Sequence, residues 1–224
     1  MKAFLPLTWT ELKLFLREPM ATFFTLAFPL LLLVAFGAIF GNDPGSALSL
    51  LSLPTTLATY RDQGVLRRFQ VTPLRPTAVL GAQTVVHVLM LLVSVVVLMG
   101  AAVFAYDVPV PTPLLLALAS LLLAGLSFLA VGFLLAAVVP TARAAQAVGN
   151  ALFFPMLFLS GAALPQFLFP EWLKSASAAL PLTHATWLLQ DAWLRGQWNG
   201  TAGLVLAGVG IVSTVVAAWA FRWS

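Results

Sequence analysis

The chain has 224 residues, of which 61% are hydrophobic and only 8% charged, with a net charge of +4 and no cysteine. A soluble domain carries about a quarter charged residues, because its surface must be compatible with water. The composition therefore excludes an ordinary soluble protein and indicates that most of the chain forms membrane spans. The lack of cysteine excludes disulfides, thiolate metal sites and cysteine nucleophiles. With so few charges, the positive net charge does not indicate a nucleic-acid partner.

A short amphipathic segment precedes the first long apolar run. Its hydrophobic residues recur at helical spacing and share one stripe, which comprises Leu5, Trp9, Leu12 and Leu16. Such a stripe predicts a helix that lies in the membrane interface, and Pro19 is expected to end it. We therefore assign residues 1–19 to an interfacial helix rather than to a cleavable signal peptide.

Long apolar segments without Asp, Glu, Lys or Arg predict the membrane spans, since ~20 helical residues cross ~30 Å of hydrocarbon. Five segments reach or approach this length: residues 21–40, 79–104, 113–139, 147–164 and 201–221. A sixth, at 47–60, has about fourteen residues, which extend ~21 Å as a helix. Pro54 interrupts it, so its length and composition leave open whether it crosses.

The distribution of basic residues decides whether that short segment crosses. With six spans and a cytoplasmic N-terminus, nine of the eleven Lys and Arg residues lie inside, and only Lys174 and Arg195 lie outside. This is the positive-inside bias. If residues 47–60 did not cross, the four arginines between Arg61 and Arg75 would lie outside, against that rule. We therefore predict an all-α membrane protein with six transmembrane helices and both termini in the cytoplasm.

The region from residue 165 to residue 200 is neither a clean span nor a polar loop. Its many hydrophobic residues are interrupted by Pro165, Pro170 and Pro181, so that no stretch is long enough to cross. Short re-entrant or amphipathic helices at the outer face, before the last span, fit this pattern best.

Several enzyme motifs are absent from the sequence. It has no G-x-x-x-x-G-K-[ST] loop, so we expect no ATP binding by a P-loop. It has no H-E-x-x-H, and its two histidines, His87 and His184, lie far apart, which argues against a metal site made by this chain. Ser160-Gly161 does not belong to a G-x-S-x-G nucleophile elbow. We predict a transport subunit with no catalytic residues and no bound cofactor.

An ion-coupled secondary transporter or channel that works without an ATPase is the alternative from another class. Such proteins usually need an ionisable group at membrane depth, and the long apolar segments contain only His87, with Gln83 one turn earlier. A polar pair at this spacing more often makes a hydrogen bond between helices than a proton relay. The energy for transport is therefore expected to come from elsewhere.

The basic segment at residues 61–76 carries the most specific pattern in the chain. It reads Asp62-x-Gly64-x-Leu66-Arg67-Arg68 and continues as Thr72-Pro73-Leu74-Arg75-Pro76. Taken as isolated charges, its four arginines would bind lipid phosphates as a membrane anchor.

A second pattern spans the predicted fifth helix and the region after it. It comprises Phe153-Phe154-Pro155-Met156, Leu159-Ser160-Gly161, Leu164-Pro165, Pro170-Glu171-Trp172-Leu173 and Leu180-Pro181-Leu182-Thr183. Together with the first pattern, and more weakly with Arg17-Glu18-Pro19, it resembles the permease subunits of ABC-2 type exporters, including daunorubicin-resistance-type permeases. The resemblance covers essentially the whole chain, residues 1–224, as one transmembrane domain.

The resemblance implies an ATP-driven exporter in the bacterial cytoplasmic membrane. Its partners would be a separate ATPase subunit that binds ATP and Mg, a second copy of the chain or a homologous permease, and membrane lipid. The segment at 61–76 would contact the ATPase as a rigid helix that converts ATPase closure into movement of the spans. The residues carried over to this coupling surface are Arg61, Asp62, Gly64, Leu66, Arg67 and Arg68.

The predicted fifth span supplies candidates for the substrate pathway. Phe153, Phe154, Met156, Phe158 and Ser160 would give a weakly polar lining, and the alternative role of these residues is packing between helices. The short loops suggest a small hydrophobic substrate, such as a drug or a lipid. The sequence departs from the family at residues 47–60, since a ~21 Å span leaves roughly 9 Å of hydrocarbon unmatched. Either the bilayer is locally thinned here, or residues are missing from the sequence between about Pro44 and Pro54, and we favour missing residues.

Overall fold

The computed structural model describes residues 4–17, 19, 23–31, 33–34, 76–108, 110, 113–162, 164 and 166–220. All regular secondary structure in these residues is helical. The α-helices are α1 (Phe4–Arg17), α2 (Pro76–Tyr106), α3 (Leu114–Val138), α4 (Ala142–Leu159), α5 (Glu171–Ser177), α6 (Pro181–Gln190) and α7 (Gly200–Ala220). A 3-10 turn at Gln166–Leu168 and π turns at Phe23–Ala27 and Asp191–Arg195 complete the described elements.

Three of the described helices are long and apolar enough to cross a membrane: Gly81–Tyr106 within α2, Leu114–Val138 and Gly200–Ala220. They confirm the apolar helices predicted at 79–104, 113–139 and 201–221. The predicted span at 21–40 is described only in part, with helical residues at 23–31 and 33–34. The predicted short span at 47–60 and the segment at 61–75 lie outside the described residues.

The helix predicted at 147–164 begins and ends earlier than its apolar run. The Thr141 side chain accepts a hydrogen bond from the Ala144 amide at 3.1 Å, and this cap starts α4 at Ala142. The helix stops at Leu159, because Gly161 adopts a left-handed backbone with φ +85°. Its apolar part, Ala144–Leu159, is about 24 Å long at 1.5 Å per residue.

The core of the described structure lies where α3 and α7 pack side by side and α6 inserts beside them. Small residues let α3 and α7 approach closely, as is common between membrane helices. The Ser127 hydroxyl of α3 lies 2.8 Å from the Leu206 carbonyl of α7, and Gly210 faces the Ser127 backbone. The buried cluster comprises Ala124, Phe128, Leu182, Ala185, Leu188, Ala202 and Leu206.

Gly210→Leu is expected to force α3 and α7 apart. A Cβ atom at Gly210 would lie 3.3 Å from Ser127 Cα, and a leucine adds further bulk against that backbone. Overpacking of this kind typically costs about 1–3 kcal/mol, so the midpoint of thermal unfolding in detergent should fall. Gly208→Leu is the matched control, because nothing lies within 4 Å of a Cβ at Gly208. Equal melting temperatures for the two variants would contradict the packing described.

Helix α1 packs against α2 through Phe15, which is buried against Val86 and Met90. Leu12 is partly buried in the same contact. Trp9 and Leu16 of the predicted stripe are exposed instead. Phe15, which did not belong to the stripe, therefore makes the contact with α2.

Helix α6 is short but deeply buried. Leu182, Ala185 and Leu188 belong to the core, and the hydroxyl-bearing Thr183 and Thr186 are equally inaccessible. The helix contacts α3, α4 and α7. The region at 165–200 is therefore a set of short helices that is continuous with the core.

Candidate transport site at the end of α4

Helix α4 carries the five residues predicted to line a pathway, and it presents them on different faces. Phe153 is only 6% exposed, and Met156 packs against the core between α3, α6 and α7. Phe154 and Phe158, one turn apart, are 43% and 47% exposed. Phe153 and Phe154 meet edge to face, with ring centroids 5.4 Å apart. The exposed aromatic pair is thus available to lipid, substrate or a second chain, whereas Phe153 and Met156 are packing residues in this conformation.

Ser160, the fifth predicted residue, is fully buried where the chain leaves α4. Its hydroxyl donates to the Leu157 carbonyl at 3.2 Å and accepts from the Ala162 amide at 3.2 Å. Both interactions are local, so the hydroxyl stabilises the turn at Gly161. The turn directs the chain from α4 towards the 3-10 turn at Gln166–Leu168.

A polar cluster, which we call the Gln166 cluster, joins the end of α4 to the two helices that follow. It consists of Ser160, Gln166, Ser177 and Trp187. The Gln166 amide nitrogen donates to the Ser160 carbonyl at 3.2 Å and lies 3.5 Å from the Ser177 hydroxyl oxygen. The Gln166 amide oxygen accepts from the Trp187 indole nitrogen at 3.1 Å. One side chain therefore links α4, α5 and α6.

Helices α5 and α6 are also tied directly to each other. Thr183 donates to the Ser177 carbonyl at 2.6 Å, and the His184 Nε2 group donates to the Ala178 carbonyl at 3.0 Å. The His184 ring also meets the Trp187 ring edge to face at 5.3 Å. His184 thus serves the packing of α6. Within the described part of the chain, no group of three His, Cys, Asp or Glu side chains is placed to hold a metal ion.

The four charged residues between 166 and 200 form two ion pairs. Lys174 pairs with Glu171 at 2.7 Å, and Arg195 pairs with Asp191 at 2.9 Å. The other Asp191 oxygen accepts from the Asn199 side chain at 2.8 Å, and Asn199 in turn caps α7 by accepting from the Ala202 amide. The charges at this end of the molecule therefore neutralise one another, in contrast to the excess of basic residues elsewhere in the sequence.

His87 and Gln83, the polar pair of the ion-coupled alternative, lie buried where α2 meets α1. The His87 Nδ1 group donates to the Gln83 backbone carbonyl at 2.7 Å, and the imidazole meets the Phe15 ring edge to face at 6.2 Å. This environment is that of a residue packed between two helices. It supports the structural role over an ion site.

A small apolar crevice separates α2 from α3 beside Trp193, with Leu98, Leu114 and Leu121 among its lining. Its free volume of about 30 Å³ is far below the several hundred Å³ typical of sites for drug-sized molecules. The crevice therefore does not hold such a substrate in this conformation. The six predicted coupling residues, Arg61, Asp62, Gly64, Leu66, Arg67 and Arg68, lie outside the described residues.

The three long apolar helices and the sparse polar groups are those of an integral membrane protein. The chain belongs to the ABC-2 type transporter family, whose family model matches residues 2–193. The matched region contains α1 to α6 and therefore includes the Gln166 cluster.

Two similar proteins support this family membership. The chain is 28% identical over 158 residues to ABC transporter G family member 20 of Dictyostelium discoideum, an alignment that covers 70% of this chain and 21% of that protein. It is 26% identical over 149 residues to the probable multidrug ABC transporter permease YbhR of Escherichia coli strain K12, covering 64% of this chain and 40% of the relative. The chain thus spans well under half the length of these relatives.

Proposed function

We propose that this chain is the membrane permease of an ATP-driven exporter, whose ATP and Mg are bound by a separate ATPase subunit. The match of residues 2–193 to the ABC-2 type transporter family is the observation that carries this proposal. The contacts of His87 between α1 and α2 add support, since they indicate a packing role for this ionisable residue rather than the ion coupling of a secondary transporter.

The proposed arrangement has six spans, both termini in the cytoplasm of a bacterial cell, and residues 1–19 at the membrane interface. Residues 165–200 lie at the outer end, where their two ion pairs leave no excess positive charge. This agrees with the positive-inside rule, because the basic excess is then cytoplasmic. Only seven residues separate α2 from α3, which favours an antiparallel pair, and the proposed topology has this connection at the outer side.

Cysteine labelling tests this topology directly, because the chain has no native cysteine. In the proposed topology, Asp107, which is exposed at the end of α2, lies outside, and Arg143, in the first turn of α4, lies inside. Asp107→Cys should react with a membrane-impermeant maleimide in intact cells, whereas Arg143→Cys should react only after permeabilisation. Labelling of both variants from the same side would exclude the six-span arrangement.

The coupling surface in this proposal is the segment at 61–76, through Arg61, Asp62, Gly64, Leu66, Arg67 and Arg68. It is assigned from its resemblance to the family pattern. The competing role for these arginines is to anchor the chain to lipid phosphates. That role would depend on their positive charge and not on Gly64.

The proposed pathway includes α4, and the proposed substrate is a small hydrophobic compound such as a drug or a lipid. Exposed Phe154 and Phe158 would face it or a second permease chain, since an apolar surface favours contact with apolar atoms. The word multidrug in the name of the Escherichia coli relative is consistent with such a substrate. Pairing with a second copy or a homologous permease would enclose the pathway between two α4 helices.

Co-purification with a P-loop ATPase tests the proposed function. The tagged chain, purified from the cells in which it naturally occurs, should retain a P-loop ATPase through affinity and size-exclusion steps in mild detergent. The purified chain alone should bind no ATP, because it has no P-loop motif. Saturable ATP binding by the isolated chain would contradict the proposal that ATP is bound only by the separate ATPase subunit.

A further inference from the structure

We propose that Gln166 is a positioning residue that fastens the end of α4 to α5 and α6, so that the three helices move as one body during transport. This inference rests on the proposed function and adds a residue to it. The juxtaposition that carries it is the Gln166 cluster, in which one amide reaches three helices that are separate in sequence.

Both ends of the Gln166 amide are engaged. The nitrogen reaches the Ser160 carbonyl, at the end of α4, and the Ser177 hydroxyl, at the end of α5. The oxygen accepts from Trp187, in the middle of α6. Ser160 and Ser177 are fully buried, so a lost partner could not readily be replaced by water. An unsatisfied buried polar group is unfavourable, which favours keeping the three helices in this arrangement.

The turn after α4 is shaped around the Gln166 side chain. Gly161 has φ +85°, a region that side chains with a Cβ rarely adopt. A Cβ at Gly161 would lie 2.7 Å from Gln166 Cγ. The left-handed turn and the lack of a side chain at Gly161 together leave room for the Gln166 side chain next to the end of α4.

The link to α4 is separable from the link between α5 and α6. Thr183 and His184 already tie α6 to the end of α5 through the carbonyls of Ser177 and Ala178. Removal of the Gln166 amide would leave these two bonds in place. It would therefore remove the polar link of α4 to an α5–α6 pair that remains intact, and leave only apolar packing, such as that of Met156, between α4 and α6.

This connection has a mechanical consequence for transport. Switching between states commonly proceeds by rigid-body displacement of helices, and bonded elements move together. If α4 is displaced when the ATPase closes, the Gln166 cluster carries α5 and α6 with it and changes the outer end of the pathway. Without the amide, α4 would be displaced without an equal displacement of α5 and α6.

The test compares Gln166→Met with Gln197→Met, a matched change at an exposed glutamine. Spin labels at Ala151→Cys in α4 and Ser175→Cys in α5, both exposed positions, report the distance between the two helices. In the complex with the ATPase, Gln166→Met should broaden the distance distribution and reduce ATP-driven transport of a fluorescent hydrophobic dye at least tenfold. ATP hydrolysis and ATPase binding should stay within twofold of the original protein. Gln197→Met should change none of these quantities.

A residue that only stabilises the fold would behave differently. Gln166→Met would then lower the yield and the melting temperature, but each folded complex would transport at the original rate with unchanged label distances, and that result would overturn the inference. If Gln166→Met does not fold, Trp187→Phe removes one hydrogen bond of the cluster and retains the ring, and an intermediate broadening and loss of transport are expected. If the unsubstituted complex shows no ATP-driven transport, the proposed function fails, and the label distances alone then decide whether Gln166 fastens the helices.

Discussion

Gly64→Val is expected to uncouple ATP hydrolysis by the partner ATPase from transport, while insertion into the membrane stays unchanged. The proposed coupling segment needs a close approach at Gly64, and a valine adds bulk there without changing any charge. Because the arginines that orient the chain are retained, the positive-inside signal is not affected. Transport in proteoliposomes should fall at least tenfold, and the stimulation of ATPase activity by the permease should be lost.

Charge reversal at Arg67 and Arg68 provides the comparison for Gly64→Val. The double change of both arginines to Glu should weaken association with the ATPase, since opposed like charges at an interface can cost several kcal/mol. It also weakens the orientation signal, so its insertion has to be measured separately. If the segment only anchors the chain to lipid phosphates, Gly64→Val should leave transport and ATPase stimulation at their original values.

Gly161→Ala is expected to destabilise the protein, because it places a methyl group in a left-handed turn against the Gln166 side chain. A left-handed backbone costs a residue with a Cβ about 1–3 kcal/mol, and the new methyl group would lie 2.7 Å from Gln166 Cγ. The Gln166 amide would have to shift away from the Ser160 carbonyl. We therefore expect a lower midpoint of thermal unfolding, measured in detergent by intrinsic tryptophan fluorescence.

Gly100→Ala is the control for Gly161→Ala. A Cβ at Gly100 has no heavy atom within 4 Å, and the position lies within helix α2, where alanine is favoured over glycine. Its melting temperature should equal or slightly exceed that of the original protein. A Gly161→Ala variant as stable as Gly100→Ala would show that the turn after α4 does not have the described conformation.

The long apolar helices could be predicted from the sequence because length and hydropathy alone define them. The apolar run at 113–139 predicts helix α3, which occurs at Leu114–Val138, and the run at 201–221 predicts α7, which occurs at Gly200–Ala220. Each is bounded by a physical signal that the sequence displays, such as Pro113 before α3 and Arg222 after α7. Such segments can be recognised without knowing which residues they pack against.

Which face of each helix is buried could not be predicted in the same way. In a membrane, positions that face lipid and positions that face other helices are both apolar, so periodicity of hydropathy disappears. On α4, neighbouring Phe153 and Phe154 differ in burial although their side chains are identical in chemistry. The sequence also placed the end of this helix at Leu164, because an apolar run does not reveal the backbone reversal at Gly161.

The Gln166 cluster cannot be predicted from the sequence, since its hydrogen bonds join residues separated by up to 21 positions. Gln166 is an amide in a largely apolar stretch that follows a Ser-Gly pair. An isolated polar residue in such a stretch indicates that the fold provides it with a hydrogen-bond partner. Which residues provide it depends on how α5 and α6 return towards α4, and this is tertiary information.

The proposed function requires that this chain transports only when a separate ATPase supplies the energy. Reconstitution of the chain into proteoliposomes with and without the P-loop ATPase, followed by the flux of a fluorescent hydrophobic dye, tests it most directly. We predict flux only when the chain, the ATPase and hydrolysable ATP with Mg are all present. Equal flux by the chain alone, driven by a proton or sodium gradient and independent of ATP, would contradict the account.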